Sequence, residues 1–367
     1  MGFTEAVIKT LIINTYGGSL LLGAALAKAE VVATMEDSGF GSDLQALNFP
    51  KIPRYEKRVD WPAKFSMPWK SIDVIAHPPC AAFSQQNTVK DRRGTDTDAF
   101  HCHQDVMDYA LGHHCRSLAI ESVIGAYKGG HAIYEASAER HGYRVNYLMV
   151  NSASLGVPQW RERVWAIFHQ VPKRQPFRVE LKPSYVTLGK ILNPNGAAFE
   201  FGGCPRRVWD RIRSSVTTKW PSGAICAVLE KVYDIPHESN FKGARDKFGI
   251  TGFTTSHVQF VGPDDFASVV LYDQLLAYGK RILTVEEYCS IMGFPRNYKW
   301  GKRQKQFRLY LSKGVCPPVA AWILKTVDQN ASGWTGPFTH EEADFGGVID
   351  LRPKKAEVLA EVKHGAR

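Results

Sequence analysis

A doubly wound α/β fold with a smaller second domain is the architecture this sequence predicts, and three observations predict it. Apolar, β-rich runs alternate with helix-like segments through the first half of the chain. That regularity stops near residue 172, in "VPKRQPFRVELKPS" (171–184), a Pro- and Lys/Arg-rich passage that reads as a hinge. Helical patterning returns only after residue 280. The expected boundaries are therefore 1–175 for the main domain, 176–280 for the smaller one, 281–334 for a return to the first, and 335–367 for a peripheral C-terminal tail.

The elements follow in order. "VIKTLIIN" (7–14) is apolar and β-rich, and "GGSLLLGAALAKA" (17–29) turns on glycine into an Ala/Leu-rich helix. "VVATME" (31–36) is a second strand, and "SIDVIA" (71–76) a third that ends at His77. "HCHQDVMDYALGHHC" (101–115) has helical spacing, "SLAIES" (117–122) is a strand, and "HAIYEASAERHG" (131–142) a helix. "YRVNYLMVN" (143–151) and "RVWAIFHQ" (163–170) complete a largely parallel sheet with helices on both faces. Ligands of such sheets bind beyond the carboxyl ends of the strands. Cys80, Glu121 and the Gly17–Gly18 turn all fall just past such ends.

Residues 176–280 are irregular, with the basic stretches "CPRRVWDRIRSS" (204–215) and "NFKGARDKFG" (240–249). "LTVEEYCSIMGFP" (283–295) then opens with Thr284 three residues before Glu287, the spacing of a capping box. "VAAWILKTV" (319–327), after Pro317–Pro318, is apolar enough for a buried helix.

Across 367 residues, 46 Lys and Arg face 36 acidic residues, a net charge of +10 and a pI near 9.2. That excess favours a polyanionic partner, nucleic acid before an anionic membrane. No run approaches the ~18 apolar residues of a membrane span. The N-terminus lacks a signal-peptide pattern, and Ala6 stands where myristoylation wants Ser or Thr. Seven cysteines, an odd number, suggest reduced thiols in a cytoplasm. The His and Cys residues at 101–103 and 113–115 lack a zinc-ligand spacing, so no metal is expected.

Five segments line up in a telling order: "HPPCAAFS", "AIES", "GVPQWRERV", "LTVEEYCSIMGFP" and "GVCPPVAAWI". This series resembles the DNA (cytosine-5) methyltransferase family over residues 8–170 and 280–328. Pro79-Cys80 with Phe83-Ser84 matches its nucleophile motif, and Glu121-Ser122-Val123 its Glu-Asn-Val motif with serine for asparagine. Gln159, Arg161 and Arg163 complete its Gln-x-Arg-x-Arg motif. The resemblance implies a Rossmann-like methyltransferase domain, with residues 176–280 as a target-recognition domain.

It also implies a chemistry that explains the residue types. Adding a thiolate to carbon 6 of cytosine makes carbon 5 nucleophilic, and Cys both attacks and leaves well. The thiol of Cys80 must ionise to do so. Glu121 is expected to contact the ring nitrogen and exocyclic amine as charge develops, and Arg161 and Arg163 to hold the base oxygen and phosphates. A stacked base is unreachable, so it must be flipped out. Ser84, Gln159, Arg206 and Arg207 are the expected nucleic-acid contacts.

An S-adenosyl-L-methionine site is implied at Tyr16, Gly17, Gly18, Glu36, Asp60, Pro79, Lys313 and Val315. Glu36 would accept from the ribose hydroxyls and Asp60 from the adenine amine. The glycine motif departs from the family, reading "IINTYGGSLLLG" without the leading Asp. A second departure is Lys313, where the family pattern has Asn. An ammonium ~5 Å from a sulfonium repels it by about 3 kcal/mol at an effective dielectric near ~20. A carboxylate on the transferred group would reverse the sign. Carboxy-S-adenosyl-L-methionine is thus an alternative cofactor, and 5-carboxymethylcytosine an alternative product. A tRNA cytosine-5 methyltransferase and a non-catalytic DNA-binding homologue are the rival readings. The expected setting is a monomer on double-stranded DNA in the cytoplasm of a bacterial or phage-infected cell, away from membranes.

Overall fold

Strand β1 (Lys9–Ile13) is buried over its last four residues and sits inside the main sheet. The structure, a computed structural model, describes residues 7–192 and 258–365, apart from 38, 67, 85–92, 171–174, 261–263, 268–274, 279–280 and 343. After β1 come α1 (Ser19–Leu26), β2 (Glu30–Met35), α2 (Ser42–Asn48), β3 (Arg54–Tyr55), β4 (Asp73–Ala76) and α3 (Asp98–Gly112). β5 (Ser117–Ser122), α4 (Ile124–His141), β6 (Arg144–Asn151) and β7 (Glu162–His169) follow. With β13 (Val348–Asp350), the strands run in the order β13-β6-β7-β5-β4-β1-β2-β3. All pairs are parallel except those of β7, which is antiparallel to both β5 and β6. Residues 152–161 are too few for the crossover a parallel return needs, so β7 can only fold back.

Register fixes the functional edge. Ile13 pairs with Met35 on one side and Ala76 on the other, and Ala76 pairs with Ile120. The next residue of each strand or its exit is therefore Asn14, Glu36, His77 or Glu121. These four polar residues form one row, all buried at the carboxyl edge of an aliphatic sheet.

Two helices hold this edge from the front. Helix α7 (Pro317–Ala331) packs on α1 so closely that a Cβ at Gly23 would lie 2.5 Å from the Ala320 Cβ. The core behind the sheet includes Phe100, Val106, Met107, Tyr134 and Phe168, each at most 2% exposed. Burying side chains of this size stabilises by about 1.5–3 kcal/mol apiece.

The chain divides into two units. The first comprises Met1–Gly156, Arg161–Tyr185 and Gly314–Val358, and the second Val157–Trp160, Val186–Lys313 and Leu359–Arg367. Two expected boundaries need correction. Residues 281–313 group with the second unit, and the chain returns to the first at Gly314. The C-terminal stretch is also not merely peripheral. β13 extends the main sheet along β6, and β12 (His340–Glu342) pairs antiparallel with β8 (Phe177–Val179). Short strands of two or three residues carry too little period to be read from sequence.

Within the second unit, β9 (Val258–Phe260), β10 (Leu275–Tyr278) and β11 (Arg281–Ile282) form a small sheet. Helix α5 (Val285–Ile291) carries the expected capping box: Glu287 N–H donates to Thr284 Oγ1 at 3.2 Å, and Thr284 N–H to Glu287 Oε2 at 2.8 Å. Helix α6 (Phe307–Lys313) precedes the return, and α8 (Lys355–Gly365) ends the described chain. No described helix is long and apolar enough to cross a membrane.

Candidate active site

Prolines 78 and 79 bar the chain from continuing β4 or starting a helix at once, so Cys80 opens a single 3-10 turn, Cys80–Ala82. Two anchors hold that turn. The Phe83 ring lies against α4, where a Cβ at Gly129 would sit 2.9 Å from it. A Cβ at Gly125 would sit 2.5 Å from the Phe83 carbonyl oxygen. Glycine is thus required for α4 to approach the nucleophile turn. On the other side, buried His103 of α3 reaches the Pro79 carbonyl through Nε2 at 3.2 Å, and its Nδ1 bonds the Tyr134 hydroxyl at 2.7 Å. Burial pushes His103 down to about 4, so it is neutral, a donor to that carbonyl.

Glu121, 1% exposed at the end of β5, faces two cations. Its Oε2 is 2.9 Å from His77 Nε2, and its Oε1 is 3.1 Å from Arg163 Nε. Burial alone would raise this carboxyl; His77, then Arg163 and Arg161, outweigh it and hold Glu121 at about 2. Arg161 is itself buried, and burial beside Arg163 pulls its guanidinium down to about 10. It donates to the Gly314 carbonyl at 2.8 Å, and its backbone N–H to Asn151 Oδ1 at 3.2 Å. Burial opposes ionisation of Cys80, but its bond to His77 and the charges of His77 and Arg163 lower its pKa overall. The expected quartet of Cys80, Glu121, Arg161 and Arg163 thus converges in one unit.

The glycine turn is strongly left-handed, with φ of 44° at Tyr16, 82° at Gly17 and 94° at Gly18. A Cβ at Gly41 would fall 2.4 Å from Gly17 N, so a second glycine closes over the first. Glu36 follows β2, and Thr15 N–H and the Gln45 amide both donate to its Oε1, at 2.9 and 2.6 Å. Among the described residues, none bonds Oε2. Burial raises Glu36 to about 8 despite those two bonds. Val315 N–H donates to Ser19 Oγ at 3.2 Å, so the Gly314–Val315 segment lies on the start of α1. A left-handed glycine turn and a half-bonded buried carboxylate one strand apart fit an adenosyl cofactor.

Other expected residues are placed differently. Asp60 is exposed in the 3-10 turn Arg58–Asp60. Trp61, next to it, donates Nε1 to the Glu36 carbonyl at 3.3 Å. Pro79 is partly buried at the nucleophile turn, and Ser84 ends that turn, also partly buried. Gln159 is buried in the second unit, bridged to Ala267. Lys313 is exposed at the last position of that unit. Arg206 and Arg207 lie outside the described residues.

Three participants went unread in the sequence. His77 stands three residues before Cys80, and only its register beside Glu121 reveals it. His103 lies in the His/Cys stretch 101–115, and its bond to the Pro79 carbonyl holds the nucleophile turn. Asn14, itself left-handed at φ 56°, clasps Asp37 with bonds of 2.8 and 3.2 Å.

The chain matches the family model for C-5 cytosine-specific DNA methylases over residues 13–329. Solved structures are similar at low identity. A protein described as a DNA modification methyltransferase encoded within an E. coli prophage has 17% identity and a TM-score of 0.59, covering 89% of this chain and 99% of its own. The Entamoeba histolytica methyltransferase EhMeth has 13% identity and a TM-score of 0.58, with coverage of 89% and 99%. The S. pombe Dnmt2 methyltransferase has 14% identity and a TM-score of 0.53, with coverage of 89% and 100%. A search of curated proteins finds no match.

Proposed function

This chain belongs to the C-5 cytosine-specific DNA methylase family, and from that premise we propose that it methylates carbon 5 of a flipped cytosine in double-stranded DNA. The observation that carries the reading is the convergence of Cys80, Glu121, Arg163 and Arg161 at the strand edge. Cys80 adds to carbon 6. Ionised Glu121 accepts from the exocyclic amine, and the arginines counter negative charge on the ring and the phosphates. Family membership implies S-adenosyl-L-methionine, which supplies an electrophilic methyl group when bound. Glu36 Oε2 would take the ribose hydroxyls, and the Tyr16–Gly18 turn and Val315 would hold the rest. Residues 186–313 would read the DNA sequence, with Arg206 and Arg207 on phosphates.

The test is mass spectrometry of nucleosides from duplex DNA and from tRNA treated with the purified protein. 5-Methylcytosine in DNA is expected, and product in tRNA alone would overturn the DNA assignment. DNA carrying 5-fluorocytosine should trap a covalent adduct, since elimination then lacks a proton to remove. Trapping by Cys80→Ser equal to the parent's would refute the nucleophile.

A second reading rests on Lys313. Its neighbours Gly314 and Val315 are bound to Arg161 and Ser19, so the lysine directly precedes a segment of the cofactor site. Carboxymethyl transfer from carboxy-S-adenosyl-L-methionine would use that ammonium to hold the carboxylate. Offered both cofactors, the parent would then yield 5-carboxymethylcytosine and Lys313→Asn would lose it. If the parent prefers the plain cofactor and the substitution changes nothing, this reading fails.

A further inference from the structure

Arg163 stands on a stretch of the main sheet that is paired on one side only. β7 pairs with β5 as far as Val164, opposite Ser122. Beyond that point Glu162 and Arg163 pair with β6 alone, opposite Asn151 and Val150. Arg163 nevertheless has a fixed direction. Its Nη1 donates to the Glu162 carbonyl at 2.7 Å, and its Nε lies 3.1 Å from Glu121 Oε1. The peptide of Glu162 is therefore one of the two points that aim this guanidinium.

A residue from far along the chain grips Glu162. β13 runs parallel to β6 with Asp350 opposite Met149, and Leu351 N–H extends the pairing to the Met149 carbonyl at 2.8 Å. Buried Ile349 and Leu351 anchor this strand in the first unit. The chain leaves it at the carboxyl edge with Arg352. Asp350 holds that side chain in a fork, accepting from Nε at 2.8 Å and from Nη2 at 2.6 Å. With two nitrogens fixed, the planar guanidinium can present the third in only one direction. That third nitrogen, Nη1, reaches past the end of β6 and donates to Glu162 Oε2 at 3.2 Å. Arg352 lies beyond residues 13–329, the stretch shared with the family. The two side chains are 29% and 37% exposed, and ion pairs in such places stabilise a fold little. A strand end held from one side, next to the reacting groups, gives this pair another use.

We propose that Arg352 is a positioning residue of this enzyme: by holding Glu162 it fixes the peptide that turns Arg163 toward Glu121. The Asp350–Arg352–Glu162 chain braces β7 from the β6 side, opposite the side where β5 no longer pairs. Without the brace the end of β7 shifts, and the contact between Arg163 Nε and Glu121 lengthens with it. Misalignment of this kind lowers turnover more than binding, because the groups must be aligned where the reaction occurs.

The inference rests on the role proposed above for Arg163, and its test separates the two. Full-length parent, Arg352→Ala, Arg352→Lys and Arg178→Ala are compared. Arg178 pairs with Glu341 at 3.3 Å, joining β8 to β12 of the same C-terminal stretch at similar exposure, so it is the structural control. Turnover of duplex DNA should fall about tenfold in Arg352→Ala. Its cofactor affinity should stay within about twofold of the parent's, and its thermal midpoint within about 3 °C. Arg352→Lys, which keeps a cation opposite Glu162, should recover part of the loss, and Arg178→Ala should turn over like the parent. Glu162→Ala should match Arg352→Ala, and the double variant should be no slower than either. The Arg163 Nε–H resonance, assigned through Arg163→Lys, reads the position by NMR without any reaction. It should move in Arg352→Ala and stay in Arg178→Ala. An unmoved resonance, parent-like turnover in folded Arg352→Ala, or equal slowing by Arg178→Ala overturns the proposal. Should Arg352→Ala not fold, Arg352→Gln serves the same comparison. If the parent makes no 5-methylcytosine the function proposed above fails, and the resonance alone decides this inference.

Discussion

Glu36→Gln should separate what stabilises this fold from what serves its site. The carboxyl is buried at the end of β2, with Thr15 N–H and the Gln45 amide both donating to Oε1. An amide oxygen can accept the same two bonds, so the substitution removes a charge and little else. Moving the carboxyl from 4.5 to about 8 disfavours its ionised form in the fold by roughly 5 kcal/mol, at about 1.4 kcal/mol per unit. The sign follows from linkage. A group whose folded pKa is raised contributes stability fully present below the unfolded value, and loses it as pH climbs through the folded value. The parent without cofactor should therefore weaken between pH 5 and 8 by about 4 kcal/mol relative to Glu36→Gln. Other titrating groups are common to both proteins and cancel in that difference. Urea unfolding at three pH values measures it. Calorimetry above pH 8, where the carboxyl is ionised, should show the opposite cost, cofactor affinity falling about tenfold or more, because bonds to a charged acceptor contribute about 1.5–3 kcal/mol. Parallel stability curves, agreeing within about 1 kcal/mol from pH 5 to 8, would refute a buried, strained carboxylate.

Gly23→Ala should destabilise by about 1–2 kcal/mol, since overpacking against Ala320 outweighs the helix propensity gained. By separating α1 from α7 it should also weaken cofactor binding. Adding Ala320→Gly should recover part of both losses in a double-mutant cycle, and simple additivity would deny the contact. His103→Phe strands the Pro79 carbonyl and the Tyr134 hydroxyl, costing about 1–3 kcal/mol in thermal or urea unfolding. Its turnover should fall while DNA affinity holds, and an unchanged turnover would remove His103 from positioning the nucleophile turn.

Long buried strands and the order of motifs were legible in the sequence because both are local. The four central strands and the Thr284 capping box sit where local pattern puts them, and the residues the resemblance names, Cys80, Glu121 and Arg163, lie near one another. What was lost was set by contacts between distant segments. Helix α4 begins at Ile124, not near residue 131, although its opening "IGAYKGG" carries three glycines that disfavour a helix. Those glycines at 125, 129 and 130 are instead the seat of Phe83, some forty residues earlier in the chain. β13 reaches the sheet through a three-residue pairing with β6, too short to carry a period of its own. Nothing local marks His77 in the nucleophile motif, since only the parallel register of β4 with β5 sets it beside Glu121.

Charge balance then links these residues into one device. Arg161 and Arg163 bring two cationic groups to an edge where Glu121 is the anion facing them, with His77 beside it. That leaves an excess of positive charge, and burial, then the charge of Arg163, lowers the pKa of Arg161. Three events relieve it: ionisation of Cys80, arrival of a phosphate, and negative charge spreading into a ring attacked at carbon 6. Each is a step toward reaction, so the electrostatic cost of the resting site is recovered along the path the proposed chemistry takes. The neutral His103 behind Pro79 fits the same logic, because a further cation there would only add to the excess.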